Sequence, residues 1–186
     1  MIAREEAERL IEARLSQKRR AHAHRVAAEA VLLARRFGAS EEDAELAGLL
    51  HDCCRELSDE ATLAAAVRHG IAFGAVEARR PRHILHGPVA AAELAGRVPP
   101  AVAQAIARHT VGAAGMTVLD KCVYLADFME PGRDFAGVEE VRVLARTSLD
   151  DAVAAASRIT LLELIGCGRG VVPAALEMYN ESHAGR

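Results

Sequence analysis

His51 and Asp52 stand side by side at the end of an apolar run, Ala47-Gly48-Leu49-Leu50, and residues of matching chemistry lie well before and after them: His22, His86, His109 and Asp127. Neighbours on a helix project about 100° apart, so an adjacent imidazole and carboxylate reach one point only if something such as a metal ion gathers them. Imidazole nitrogens and carboxylate oxygens together suit Fe, Mn, Co or Zn, and a carboxylate can bridge two ions. A His/Asp set without thiolate leans towards an open catalytic site. Each histidine also has an ordinary reading, because the chain holds eight and a lone helical histidine is more often a core or surface residue. His24, His69, His83 and His183 are assigned to that ordinary class.

The elements that must position these residues are helices, since apolar residues recur at three- and four-residue spacing between Gly and Pro markers. The pattern predicts a helix from about Ile2 to Leu15 and another from about Lys18 to Phe37, stopped by Gly38. Ser40 caps a third that carries Leu46, Leu49 and Leu50 and delivers the dyad near its C-terminus. Ser58 opens a short helix to about His69, a punctuated loop with Gly70, Gly74 and Pro81 follows, and the next segment runs from Ile84 to Gly96. Pro99-Pro100 opens a helix ending near His109, and Thr117 with Asp120 caps one through Met129, terminated by Glu130-Pro131-Gly132. Asp127 thus sits about one turn before a helix end. Ser148 with Asp151 caps a long helix to about Ile165, and a last helix starts around Pro173. No strand and no repeat is predicted, so the fold class is all-α, a helical bundle.

Composition bounds the rest. A chain of 186 residues fits one domain with a sizeable core. Only 3% of it is aromatic and it has no Trp, so the core must be built from Ala, Leu, Val and Ile, which favours closely packed helices. A net charge of -3 argues against a general nucleic-acid binder. Cys53, Cys54, Cys122 and Cys167 form no CxxC and suggest neither a zinc knuckle nor a disulfide framework, in keeping with a reducing cytosol. The charged N-terminus lacks the apolar core of a secretory signal and no run is long enough to span a bilayer, so the expectation is a cytoplasmic protein without a membrane partner.

The order His22, His51-Asp52, Asp127 resembles the HD-domain metal-dependent phosphohydrolases, an all-helical superfamily named for its dyad. The segments Leu50-His51-Asp52, Leu85-His86-Gly87-Pro88, Arg108-His109-Thr110-Val111-Gly112, Met116 to Lys121, Ala126-Asp127, Glu130-Pro131-Gly132-Arg133-Asp134-Phe135 and Gly137-Val138-Glu139 resemble its bacterial YqeK subfamily, the symmetrical diadenosine tetraphosphate hydrolases. The match runs in register from about Lys18 to Asn180. It implies a single HD-type domain over residues 1–186, with a motif core of about 18–140 and C-terminal helices of about 148–183 packing on it. It also implies iron, one or two ions, with Mn, Co or another divalent metal as substitutes, held by His22, His51, Asp52 and Asp127. His86 and His109 would face the same pocket, holding a second metal with Asp52 bridging or contacting substrate phosphate. The implied substrate is a dinucleoside polyphosphate cleaved to ADP by water that the cation activates, and the implied assembly is a homodimer.

Asp52, His86 and His109 are the candidate catalytic residues, and His22, Arg55, His86, His109, Thr110, Asp127 and Arg133 are the candidate substrate contacts. Arg55 lies where many HD enzymes carry a lysine and offers phosphate a bidentate fork; its alternative is a surface pair with Glu56. Arg133 follows a helix end fixed by Pro131 and Gly132, and its alternative is a salt bridge to Asp134 or Glu139. Thr110 can donate to a phosphate oxygen or cap local backbone, and Lys121 is read as structural. Val172 departs from the subfamily, which often has histidine before the proline, and the Gly166 to Gly170 turn reads as a helix connector whose backbone can approach ribose or phosphate. Competing functions are an HD phosphohydrolase acting on another nucleotide, a non-catalytic nucleotide- or metal-sensing module, and a diiron oxygenase, against which the phosphate-type motif around Arg133 argues.

Overall fold

In the computed structural model, which describes residues 2–184, twelve helices follow one another: α1 (Arg4–Arg14), α2 (Gln17–Phe37), α3 (Glu41–Leu50), α4 (Asp59–Arg68), α5 (Ala75–Ala78), α6 (Pro81–Ile84), α7 (His86–Glu93), α8 (Pro100–Arg108), α9 (Val118–Met129), α10 (Val138–Leu144), α11 (Leu149–Gly166) and α12 (Pro173–His183). There is no strand among the described residues. The caps predicted at Ser40, Ser58, Thr117 and Ser148 form, and Ser16 adds one that was not predicted. The hydroxyls of Ser16, Ser40, Ser58 and Ser148 each accept from the backbone amide three residues on, and Thr117 and Asp120 cap each other's backbone reciprocally. Gly38 ends α2 at φ 79°, a left-handed conformation that glycine adopts without steric cost.

Two stretches differ from the sequence pattern. The segment expected as one helix from Ile84 to Gly96 is divided at Leu85 into α6 and α7. Pro88 has no backbone N–H, so a continuous helix would leave the Ile84 carbonyl without its partner. The loop preceding it is also partly helical, containing α5. Beyond Gly132, where no element was expected, α10 forms with two acidic residues in its first turn, Glu139 and Glu140.

The helix α2 is the spine. It packs most extensively on α3 and also lies against α9, while α8 bridges α3, α7 and α9, and α11 covers α9, α10 and α12. The inner face of α2 is small: Ala23, Val26, Ala27, Ala30, Leu33 and Ala34 are buried and follow helical spacing. Such side chains let helix axes approach closely, which fixes neighbouring backbones more tightly than a bulky core would. Gly48 marks the closest point, because a Cβ there would lie 2.5 Å from the Cα of Ala27. The contact joins α2 and α3 five residues beyond His22 and three before His51, about a turn from both imidazoles, and so bears on their separation. No helix among the described residues is long and apolar enough to cross a membrane.

Candidate metal centre and adjoining clefts

Five helix ends or edges converge on one point. His22 lies near the start of α2, His51 is the residue that closes α3 with Asp52 next to it, His86 opens α7, His109 closes α8, and Asp127 sits in the last turn of α9. His22, His51, Asp52, His86 and His109 are buried, and Asp127 is partly exposed. All six residues that the dyad called for are therefore brought together. Gly87 helps, since a Cβ there would sit 2.8 Å from the Ile106 carbonyl oxygen and 3.1 Å from the His109 ring.

The ring orientations are fixed from behind. His51 Nδ1 donates to the Gly48 carbonyl at 2.7 Å and His109 Nδ1 donates to the Ile106 carbonyl at 2.8 Å. His22 Nδ1 donates to a carboxylate oxygen of Glu130 at 3.1 Å. These partners only accept, so each of the three Nδ1 atoms carries a proton, and in the neutral ring each Nε2 presents a lone pair to the centre. His86 differs: its Nδ1 is buried without a partner, while its Nε2 lies 3.0 Å from Asp52 Oδ1 and 3.0 Å from His109 Nε2. Because the His109 nitrogen is a lone pair, the proton between the rings belongs to His86 Nε2.

Buried polar atoms without a partner carry a desolvation cost, and a bound cation is one way to remove it. His22 Nε2 and His51 Nε2 are such atoms. Carboxylate oxygens close on them without hydrogen-bonding alignment: Asp127 Oδ1 is 3.0 Å from His22 Nε2 and 3.9 Å from His51 Nε2. Asp52 Oδ2 is 3.9 Å from His22 Nε2 and 3.6 Å from His51 Nε2. Two groups that share His51, namely His22, His51 and Asp127, and His51, Asp52 and His109, each bring nitrogens and a carboxylate oxygen close enough to suit a divalent metal of the N/O-binding type. The other oxygen of Asp52, Oδ1, faces His86 at 3.0 Å and His109 at 3.9 Å. Asp52 thus looks both ways.

The protonation states follow from the same crowd of charges. Burial pushes the Asp52 and Asp127 carboxyls towards the neutral form, but the surrounding imidazoles, joined at Asp127 by Arg133, outweigh it and hold both well below the usual carboxylate range. Burial also disfavours a charged His22, yet the Asp127 and Asp52 carboxylates overcome it and raise its pKa. His109 goes the other way, pushed down to about 4 by burial and then by His51, and burial likewise lowers His86.

Around this core stand cations. Arg133 binds Asp127 Oδ1 at 2.6 Å and the Asp127 carbonyl at 2.8 Å, so neither Asp134 nor Glu139 is its partner. Glu139 pairs with Arg142 instead. Arg55 donates to the Arg82 carbonyl at 3.1 Å and meets the His83 ring at 2.8 Å; the expected alternative with Glu56 does not form, because Glu56 caps Ser16. His83, placed in the ordinary class, is therefore the partner of Arg55. Lys121 pairs with Asp150 at 2.6 Å, away from the centre. Thr110 Oγ1 lies 3.0 Å from His109 Nε2 and 3.3 Å from His86 Nε2, facing the site rather than capping backbone.

Three residues that the sequence did not single out support the centre. Arg19 donates to Asp52 Oδ2 at 2.9 Å from a position three residues before His22, the helical spacing that puts both on one face of α2. Glu130, read as part of a helix terminator and of the subfamily motif but given no role, is 2% exposed and holds His22, Arg25 at 2.5 Å and the Gly132 amide at 2.5 Å. Its pKa falls to about 2, since Arg25 and those donors outweigh the burial that would raise it. Arg142 ties the following loop down by donating to the carbonyls of Met129, Glu130 and Arg133 at 2.8–2.9 Å.

Two cavities open beside the centre and share a ridge of Thr110, Tyr124 and Thr160. The larger, about 360 Å³, is walled by apolar groups that include Ile84, Leu161, Val172 and Met178, with Arg79, Arg80 and Arg169 at its edge. Val172 fills the position where the subfamily often has histidine, and the Gly168 to Gly170 turn both connects helices and lines the wall. The smaller, about 320 Å³, is floored by His109, Asp127 and Arg133 and flanked by Phe128 and Phe135.

An all-helical scaffold that gathers a His/His-Asp/Asp set on one buried point defines a class, the HD-type metal centre. The HD domain model matches residues 19–132. The chain belongs to the HD-domain family. It is 34% identical over 95% of its length to a protein of Bacillus subtilis, covering 96% of that relative, which is named bis(5'-nucleosyl)-tetraphosphatase, symmetrical. A Staphylococcus aureus protein of the same name is 37% identical, over 87% of this chain and 84% of its own. The crystal structure of a predicted HD superfamily hydrolase involved in NAD metabolism from Clostridium acetobutylicum superposes with a TM-score of 0.93 over all of both chains at 30% identity.

Proposed function

We propose that the chain hydrolyses diadenosine tetraphosphate symmetrically to two ADP. The observation that carries it is the buried pair of partnerless ring nitrogens, His22 Nε2 and His51 Nε2, faced by oxygens of Asp52 and Asp127 beside Arg19 and Arg133. The shared name of the curated relatives supplies the substrate class. His22, His51, Asp52 and Asp127 would hold a divalent cation, for which iron is the expectation, with Mn or Co as substitutes. When bound, the cation supplies charge stabilisation for phosphoryl oxygens and a lowered pKa for water.

The chain's own groups do the rest. Arg133 and Arg19 are guanidiniums already seated on the carboxylates and turn donors towards incoming phosphate. Thr110 donates to a phosphoryl oxygen on the opposite side. Water adds to one of the two central phosphorus atoms, the central P–O bridge breaks, and ADP leaves with the bridging oxygen as a phosphate anion. His86, whose Nε2 carries a proton towards Asp52 and His109, is placed to hydrogen-bond to that oxygen without giving the proton up, and the proton lost by the water passes to the departing phosphate or to solvent. A ring that presents N–H is not ready to be a ligand, so one ion per chain is expected.

Purified protein incubated with diadenosine tetraphosphate and a divalent metal should yield ADP alone. ATP plus AMP, or no turnover with iron, manganese or cobalt, would refute the assignment. Asp52→Ala should abolish turnover, which a non-catalytic sensing module would not show. Metal analysis near two ions per chain would return His86 and His109 to the role of ligands. The resemblance also supports a homodimer, which light scattering on the purified chain measures directly.

A further inference from the structure

We infer that the two cavities flanking the centre are a matched pair of nucleoside subsites, one for each end of the substrate, and that Phe135 is the stacking platform of the second. The inference rests on the hydrolase reading above and deepens it. A centre that cuts four linked phosphates in the middle needs an end-stop on each side. With a single nucleoside site, one end of the substrate is held and the other is free, and the position of the cut depends on the first site alone. Here the enclosed cavity meets the centre across Thr110, and the second cleft meets it through His109, Asp127 and Arg133. They lie on the two faces of one ridge, Thr110, Tyr124 and Thr160. Their volumes, about 360 and 320 Å³, are alike and fall within the range of small-molecule pockets.

The two are built differently. The enclosed cavity is closed by aliphatic groups and takes a base by burial. The second cleft is open and aromatic. The chain has only four Phe and two Tyr, yet Phe128 and Phe135 line this cleft and not the first, and Tyr124 lines both. Phe128 meets Phe135 edge to face, with centroids 5.1 Å apart and planes at 87°, which holds the Phe135 ring from one side. Phe135 remains 38% exposed, as a surface that receives a purine must be. Its loop is pinned at both ends. Arg133 binds Asp127, and Gly137, at φ 93°, lets α11 approach so closely that a Cβ would meet Ile159 at 2.7 Å. Thr160, on the shared ridge, and Glu163 also line the cleft and offer a hydroxyl and a carboxylate to ribose or the amino edge of adenine.

The test compares diadenosine tetraphosphate with adenosine 5'-tetraphosphate, which has one nucleoside and occupies the enclosed cavity alone. Phe135→Ala should lower the ratio of their kcat/KM values about tenfold, the effect of removing one base stack, through a higher KM for the dinucleotide. Phe135→Trp should restore the ratio. An unchanged ratio in Phe135→Ala, or an equal fall for both substrates, would overturn the second subsite while leaving the hydrolase intact. No ADP from the dinucleotide with wild-type protein would overturn the hydrolase reading and the subsites with it.

Discussion

Replacing Glu130 by Gln isolates what the carboxylate behind His22 contributes. The amide keeps the shape but removes the charge that receives the His22 Nδ1 proton and the Arg25 guanidinium. The depression of its pKa from an ordinary 4.5 to about 2 corresponds to roughly 3 kcal/mol at about 1.4 kcal/mol per unit. Arg25 is 40% exposed, so solvent screening reduces the realistic loss to about 1–2 kcal/mol. For a domain of this size that is a fall in Tm of roughly 2–8 °C. The sign is that of a depressed carboxyl: the stabilisation is complete above about pH 4.5 and is lost as pH falls towards 2. More telling is the metal. A ligand histidine whose Nδ1 acceptor is lost gives up its fixed tautomer, and metal affinity should drop about 10–100-fold. Competition with a chromophoric chelator measures it, with Arg25→Ala as the control that removes the same ion pair but leaves the His22 contact. If Glu130→Gln binds metal as tightly as wild type, or if Arg25→Ala weakens it equally, Glu130 does not orient His22.

Gly48→Ala should destabilise by about 1–3 kcal/mol or more, since the new methyl meets backbone of α2 and not a yielding side chain; because the same contact bears on the His22 to His51 spacing, metal content after purification should fall along with Tm. In metal-free protein, stability should decline as pH drops from about 6.5 to 4, because the unfolded chain takes up a proton that buried His109, with its pKa near 4, refuses; His109→Gln should flatten that part of a pH series of chemical denaturation, and an unaltered slope would show that His109 does not govern it. Arg142→Ala removes the donor to three carbonyls around the Arg133 loop, so kcat/KM should fall about tenfold or more while metal content stays constant; loss of metal instead would place its effect at Glu130.

Much of the centre was legible because its residues lie where sequence punctuation is strong. Ser40, Thr117 and Pro100 mark helix starts without ambiguity, and from them His51, Asp127 and His109 fall near helix ends. The residues behind them were less legible. Glu130 looked like part of a stop signal, and no local pattern says that a carboxylate at a helix end is buried against a histidine on α2. Arg55 and Arg133 were expected near phosphate, but their partners, His83 and Asp127, are set by how distant elements pack. The division between α6 and α7 was visible in Pro88, yet the periodic apolar residues around it masked the break.

The direction in which helices enter the centre has an electrostatic consequence. α3, α8 and α9 all arrive by their C-termini, with His51 and His109 at two of those ends and Asp127 in the last turn of the third. The backbone dipoles of these three add negative potential where two carboxylates already sit, offset in part by the N-terminus of α7 at His86. A polyphosphate approaching the bare pocket meets like charge, and Arg19 and Arg133 are engaged in neutralising the aspartates. A cation held by the histidines and aspartates would offset that charge and loosen the hold of the aspartates on the two guanidiniums. Under the function proposed above, nucleotide affinity should therefore rise when the metal is loaded.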